Sequence, residues 1–356
     1  MRDNTERKKI KGGISMNYSK LNEGLDEYLQ KYENTFYVSN LDMNINLIRE
    51  GNKRFDLFKM IGSDEINLKP QEKISGLETL NLVTEFLSEL GGNYLYYFTR
   101  TFNEGNFDFH NMDEIDSKRV KNECGLFSYT VKFNGTIKDS SVIVHEFFHF
   151  LNIDNYKLAP IFSEFISIFM ENKFLDFLDN KGYSREDIAK LRLQRYDDFS
   201  SCCNKLNLQS DFLNLKKKIG YLDDDSYDFI SMYGEELNFP NLTKKYFTDI
   251  LIDFDNKMKK KKNVEQAFNP AYTFRYYLGT TYSSYLLLQD DSLDKVLLLN
   301  DYLMQEEENT NIETAFKILG INKKDDACFI EATNKYYQNE ALIYKNSNDK
   351  KQAIRK

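Results

Sequence analysis

The stretch Val142-Ile-Val-His145-Glu146-Phe-Phe-His149-Phe-Leu151 decides how the rest of this sequence is interpreted. It contains two of the three histidines in a chain of 356 residues. Its other positions are almost all apolar, which is typical of a helix that is buried on every side. Residues four apart share one face of a helix, so His145 and His149 can bind a single metal ion. Glu146 projects beside them and can reach a water molecule at that ion.

Burying two imidazoles and a carboxylate on one helix is costly unless these groups have partners. A zinc ion would be such a partner. The alternative is a pair of core histidines that hydrogen-bond to the backbone, with Glu146 in a salt bridge. Metal-assisted hydrolysis requires this i, i+1, i+4 placement, so the sequence predicts Zn²⁺ on His145 and His149 with Glu146 as the general base.

A zinc hydrolase needs a third protein ligand and one open coordination position. Glu164 is the favoured candidate because it lies between apolar residues on the next predicted helix. A short loop between two antiparallel helices would bring it opposite the histidine pair. Asp154 is a rival, but it follows the motif too closely to turn back easily. His110, the third histidine, is interpreted as an ordinary half-buried residue.

Glu171 lies seven residues after Glu164 and shares its helix face. Two interpretations stay open for it. It either binds the second nitrogen of a ligand histidine or forms a surface salt bridge.

Composition limits the class of protein. The chain has 28 Phe and 24 Tyr but only four Pro and sixteen Gly, which favours helices around a sizeable core. A net charge of −8 argues against a nucleic-acid partner, and the basic run at 257–262 is interpreted as a solvated helix end or loop. Neither a membrane span nor a signal peptide is expected. Four cysteines without framework spacing indicate reduced thiols and a cytoplasmic protein.

The chain is expected to divide into an N-terminal helical segment (1–70, the first 15 or so residues disordered), a catalytic domain (71–345) and a polar, frayed tail (346–356). Helical spacing predicts helices at 17–33 and 41–60. A capping box at Ser75 and Glu78 and a stop signal at Gly91-Gly92 bound a further helix.

The residues around the motif predict a strand, a turn and two helices. Alternation at 126–133 predicts a half-buried strand, which could pair with an extended peptide. Asn134-Gly135 predicts a turn, after which Ser140 or Ser141 would cap the motif helix. This helix would run to about residue 152, and another would start at Pro160 and end near residue 180.

A tyrosine-rich stretch at 272–282 contains Tyr272 and Tyr276. Such a stretch is more often core or interface than catalytic. A hydrolase that forms a tetrahedral intermediate nevertheless needs a donor for the developing oxyanion, and a tyrosine hydroxyl can serve.

These segments resemble the thimet-type oligopeptidases, in particular oligoendopeptidase F. Residues 127–149 resemble the family's strand, turn and active-site helix, and 161–171 resemble its third-ligand helix, with Glu164 at the ligand position. Residues 271–279 and 315–321 are similar to two weaker C-terminal motifs. The resemblance implies a mainly α, zincin-like helical metallopeptidase fold with a small β-sheet beside the active-site helix. It also implies cleavage of short peptides in a deep channel, with Tyr276 and its neighbour Tyr272 at the oxyanion.

Several departures from the family pattern leave alternatives open. Phe148 stands where the family usually has Gly, which would change the packing behind the metal or narrow the cleft. The family's histidine ahead of the tyrosines is missing, since Gln266 and Asn269 stand there. The N-terminal part is shorter than in the family, so a more open cleft is expected. The alternatives are a zinc-containing peptide-binding protein with little or no turnover and a regulatory zincin that cuts one protein.

Overall fold

The computed structural model describes residues 18–32, 67–110, 118–121, 127–151, 160–223, 226, 270–305, 312–322 and 326–355. The first 15 residues, the predicted helix at 41–60, Asp154, the basic run at 257–262, Gln266 and Asn269 lie outside these ranges. Free thiols are described for Cys202, Cys203 and Cys328.

The described residues are mainly helical, as the sequence predicts. The helices are α1 (Tyr18–Tyr32), α2 (Gly76–Glu89), α3 (Tyr94–Asn103), α4 (Ile137–Leu151), α5 (Pro160–Asn180), α6 (Arg185–Ile219), α7 (Pro270–Leu287), α8 (Ser292–Gln305), α9 (Ile312–Leu319) and α10 (Asp326–Arg355). Residues 346–355 are helical where the sequence indicated a frayed tail, because good helix formers such as Lys, Gln, Ala and Arg extend a helix that has already formed. No described helix has the length and apolar character that crossing a bilayer requires.

Contacts group the chain into two units. One comprises Met1–Asn52 and Ser200–Phe274, and the other comprises Lys53–Phe199 and Arg275–Lys356. The sequence-based boundaries at 70 and 345 do not coincide with this grouping and stay predictions. In the first unit, the Asn22 side-chain amide of α1 donates to Leu222 O and accepts from Leu222 N, three residues after the end of α6.

The start and end of α2 follow their sequence signals. Ser75 Oγ accepts a hydrogen bond from Glu78 N at 3.1 Å, which is half of the predicted capping box. The other half is replaced, since Glu78 Oε1 accepts from the hydroxyl of Tyr183 at 2.7 Å. Gly91 and Gly92 then take φ values of 74° and 58°, a left-handed conformation that glycine adopts without strain.

Three strands form a small sheet in the order β1 (Phe107–His110), β3 (Phe127–Lys132), β2 (Lys118–Lys121). β3 pairs in parallel with β1 and antiparallel with β2, and it packs against α4. It is therefore a central strand with a neighbour on each side. The predicted pairing of this strand with an extended peptide is wrong, because its backbone groups already pair within the sheet.

Asp139 fixes the turn that precedes the motif helix, α4. Its Oδ2 accepts hydrogen bonds from the backbone N–H groups of Asn134, Gly135 and Thr136 at 2.7–3.1 Å. Gly135 takes a φ of 72°, as expected of the predicted turn. The expected cap at Ser140 or Ser141 is wrong. The helix begins earlier, so both hydroxyls lie inside its first turns and donate to backbone carbonyls three residues back.

Candidate metal centre

The motif histidines lie on α4, and the two predicted acids lie on α5. The helices run in opposite directions, since His149 faces Glu164 while His145 faces Glu171. All four residues are buried, with relative exposures between 1% and 8%. The short connection that the sequence predicts between these helices therefore brings Glu164 to the histidine pair.

Three donor atoms converge on one point. The Nε2 atoms of His145 and His149 lie 3.0 Å apart, and Glu164 Oε2 lies 3.7 Å and 3.4 Å from them. Tetrahedral coordination with bonds of about 2.0–2.1 Å separates neighbouring donors by roughly 3.3 Å, so the spacing fits a zinc ion. Within the described part of the chain, Glu164 Oε2 is buried and accepts no hydrogen bond, which is costly without a cation. This buried group could hold a metal ion.

The electrostatics of the group keep its donors in the state that a metal requires. Burial alone would raise the pKa of Glu164, but the imidazole of His149 and the guanidinium of Arg275 hold it well below its ordinary value. Arg275 Nη2 lies 3.3 Å from Glu164 Oε1, which leaves Oε2 directed at the histidines. Burial lowers the pKa of His149, so its neutral, metal-binding form is favoured.

Glu171 orients the first histidine. Its Oε2 lies 3.1 Å from His145 Nδ1 and accepts from Arg195 Nε at 3.0 Å and Nη2 at 2.6 Å. Burial would raise the pKa of Glu171, but Arg195 and then His145 hold it at about 2. With Nδ1–H donating to this carboxylate, the Nε2 lone pair of His145 is available to a metal. Glu171 thus contacts a histidine, and it does not form the surface salt bridge of the alternative interpretation.

A cleft of about 690 Å³ opens beside His145. Glu146 and Tyr276, two of the predicted catalytic residues, both line it, together with His145. The guanidinium of Arg275 lies over the Tyr276 ring, 5.3 Å from its centre. Tyr272 lies on α7, but its side chain is outside the described set. The cleft therefore brings a carboxylate and a phenol together with one of the three candidate metal ligands.

Two further residues were considered from the sequence, Phe148 and His110. Phe148 is fully buried and packs against Tyr94 of α3, with ring centres 5.7 Å apart, and it does not line the cleft. Its bulk therefore changes the packing behind the metal site and does not narrow the cleft. His110 ends β1, and its side chain is not described.

Arg195, Arg275 and Gly279 are site-supporting residues that the sequence analysis missed. A Cβ atom at Gly279 would lie 3.0 Å from backbone and Cβ atoms of Glu164 and from Phe165 N. A glycine within an apolar helix signals such a close approach of two backbones, so this contact could have been predicted. The two arginines carried no signal, because their ion pairs depend on how distant helices pack.

Comparison with known proteins gives structural matches alone. No protein-family model and no curated protein sequence matches the chain. A solved structure from Chlamydophila abortus, described as a "putative peptidase", superposes with a TM-score of 0.56 at 17% identity. The match covers 90% of this chain and 57% of the Chlamydophila abortus chain.

Two further solved structures match with lower scores. They are a "putative oligoendopeptidase F" from Bacillus anthracis (TM-score 0.46, 16% identity) and a PZ peptidase A with an inhibitor (TM-score 0.48, 12% identity). They cover 91% and 88% of this chain, which spans 56% and 57% of theirs. The chain thus spans a little over half the length of the structures it matches. The match to the Chlamydophila abortus structure shows a shared fold, which agrees with the fold that the sequence resemblance implies.

Proposed function

We propose that this protein is a zinc-dependent endopeptidase that cleaves short peptides, with Zn²⁺ held by His145, His149 and Glu164. One observation carries the proposal. Glu164 Oε2 is buried without a hydrogen bond and faces the Nε2 atoms of both histidines. The zincin-like arrangement belongs to the same proposal, supported by the packing of β3 on the motif helix.

The proposed reaction gives a role to each candidate catalytic residue and to the two residues that orient His145. Zn²⁺ at this site would acidify a water molecule and polarise the scissile carbonyl. Glu146 accepts the proton of the attacking water and passes it to the leaving amine. Tyr276 donates a hydrogen bond to the oxyanion, with Tyr272 as its neighbour on α7. Glu171 and Arg195 hold the imidazole of His145 in the orientation and tautomer that ligation requires.

One observation favours a second candidate, a zinc-containing peptide-binding protein with little or no turnover. The chain has no histidine after His149, so the oxyanion would be stabilised by tyrosine alone. Loss of one oxyanion donor typically lowers the rate by about 10²–10³. A regulatory zincin with a single protein substrate would also carry the same metal site.

The test combines metal analysis with peptide cleavage. Purified protein should contain about one zinc per chain and cleave members of a fluorogenic peptide library, and a chelator should abolish cleavage. Glu146→Gln should retain the zinc and lose hydrolysis by about 10²–10⁴-fold, because the proton acceptor is gone while the ligands remain. Full activity in this variant would rule out the mechanism.

The library also separates the other candidates. Zinc with peptide binding but without cleavage would favour the binding protein. Zinc without cleavage of any short peptide, but with cleavage of one protein in a cell extract, would favour the regulatory protease.

A further inference from the structure

One wall of the cleft carries positive charge that the metal site does not use. Lys69 and Lys73 lie on the segment 67–75, which precedes α2, and Lys138 lies in the first turn of α4. All three side chains line the cleft and are exposed. Three lysines on one wall are notable in a chain whose net charge is −8.

Three of the carboxylates that line the same cleft already have partners. Asp139 is buried and accepts the backbone hydrogen bonds of the turn before α4, while Glu171 binds Arg195 and His145. Glu146 stands beside the histidines. Asp198 lies 4.0 Å from Arg195, and the charge of Lys138 also acts on it. None of these carboxylates pairs with Lys69 or Lys73 among the ion pairs of the described ranges.

The wall that carries these two lysines is fixed to the scaffold. Asp187 Oδ2 accepts hydrogen bonds from the backbone N–H groups of Gln71 and Glu72 at 2.7 Å and 2.6 Å. The Gln194 side chain donates to Leu68 O, and Ile74 N donates to Gly135 O.

Lys73 forms a backbone bridge with Thr136, which places it near the start of the helix that carries Lys138. Because the backbone is anchored on both sides of the lysines, little ordering is needed when an anion binds between them.

We infer that Lys69 and Lys73, assisted by Lys138, form a subsite that binds a carboxylate of the peptide substrate. This inference rests on the proposed peptidase function. The carboxylate has two possible sources, an acidic side chain or the C-terminus of the peptide, and both offer the same chemistry to an ammonium group. The subsite therefore sets which peptides bind well, and the groups around Glu146 carry out the cleavage.

The test uses matched short quenched fluorescent peptides. One series carries Glu or Gln at a single position, moved along the sequence, with an amidated C-terminus. A second series compares a free C-terminal carboxylate with the amide. Wild-type protein should prefer the carboxylate form of at least one pair by roughly four- to twentyfold in kcat/KM, if each lysine contributes as a solvent-accessible ion pair does. The series that shows the preference identifies the source.

Variants locate the effect. Lys69→Gln with Lys73→Gln should remove most of the preference through KM and leave kcat on the neutral peptide unchanged. Lys317→Gln with Lys335→Gln is the matched control, since both lysines are exposed and neither lines the cleft. About 0.5 M NaCl should weaken the wild-type preference, because exposed charges are screened. An equal kcat/KM for every carboxylate and neutral pair in wild type overturns the inference while the peptidase function stands.

Binding to Glu146→Gln, measured by fluorescence anisotropy with labelled forms of the same peptides, keeps the two questions separate. Tighter binding of carboxylate peptides that Lys69→Gln with Lys73→Gln abolishes supports the subsite even if turnover is undetectable. Equal dissociation constants for charged and neutral peptides, or no binding of either, overturn it.

Discussion

Glu164 and Glu171 lie on the same face of α5, but their carboxylates have different partners. Both glutamates are buried, and the surroundings lower the pKa of each. Glu171 Oε2 accepts from Arg195 and faces His145 Nδ1, so its charge is fully compensated by protein groups. Glu164 Oε2 is buried without a hydrogen bond, even though Arg275 lies near its other oxygen.

This difference shows how a fold can separate a ligand from the group that supports it. A buried carboxylate is tolerated when donors surround it, and it is a liability when they do not. The acid at Glu171 therefore stabilises the protein with or without metal. The acid at Glu164 has Arg275 at Oε1 but no hydrogen bond at Oε2, so this second oxygen gains a partner when a cation fills the space between it and the histidines.

The largest expected effect is on metal affinity in Glu164→Gln. Removing a ligand charge should weaken zinc binding by more than the roughly 100-fold upper range seen for groups behind the ligands. The chelated variant should unfold at a lower temperature than chelated wild type, because Arg275 loses its ion pair. The loss should be smaller than in Glu171→Gln, because Glu164 Oε2 has no hydrogen bond to lose. Zinc titration and thermal unfolding with and without metal measure both quantities. A loss of metal-free stability as large as in Glu171→Gln, together with unchanged zinc affinity, would show that Glu164 is an ordinary structural acid.

The next largest effect is expected in Glu171→Gln, where both zinc affinity and the stability of the metal-free protein should fall. Zinc affinity should fall by about 10–100-fold, since His145 loses the acceptor that fixes its tautomer. The metal-free protein should lose more stability than in Glu164→Gln, by up to about 3–5 kcal/mol, because Arg195 loses the charged acceptor of two hydrogen bonds. The same two measurements apply, so each variant is the control for the other. Equal metal-free stabilities for both variants would remove the distinction.

Much of the metal site could be predicted because its information is local. The spacing of His145 and His149 fixes a helix face, and the short interval to Pro160 returns the chain so that Glu164 meets that face. The capping residue of α2 and the turn at Gly135 are equally local signals.

Other features depend on contacts that only the folded chain creates. Arg195 lies on α6, and it pairs with Glu171 because of the way in which α6 packs against α5. The alternation at 126–133 predicts a strand but does not show that the strand has a neighbour on each side. The segment with Lys69 and Lys73 shows no regular periodicity, and acceptors and donors far along the chain, such as Asp187, hold it in place.

The smallest effect tests how Glu164 is held. Gly279 of α7 lets that helix approach α5 closely, since an added Cβ would lie 3.0 Å from main-chain atoms that cannot rotate away. Gly279→Ala should therefore destabilise the protein by about 1–3 kcal/mol, as overpacking does, and weaken zinc binding severalfold by shifting Glu164. Helix propensity alone predicts the opposite sign, a gain of about 1 kcal/mol.

Ser283→Ala is the matched control for this last variant. The Ser283 hydroxyl donates to Phe165 O at 3.0 Å, so its removal weakens the same pair of helices without pushing them apart. It should cost about 1 kcal/mol and leave zinc affinity unchanged. If Gly279→Ala raises the unfolding temperature and keeps full zinc affinity, α7 can shift without moving Glu164. Glu164 would then be positioned by α5 and Arg275, and the close contact at Gly279 would be incidental to the metal site.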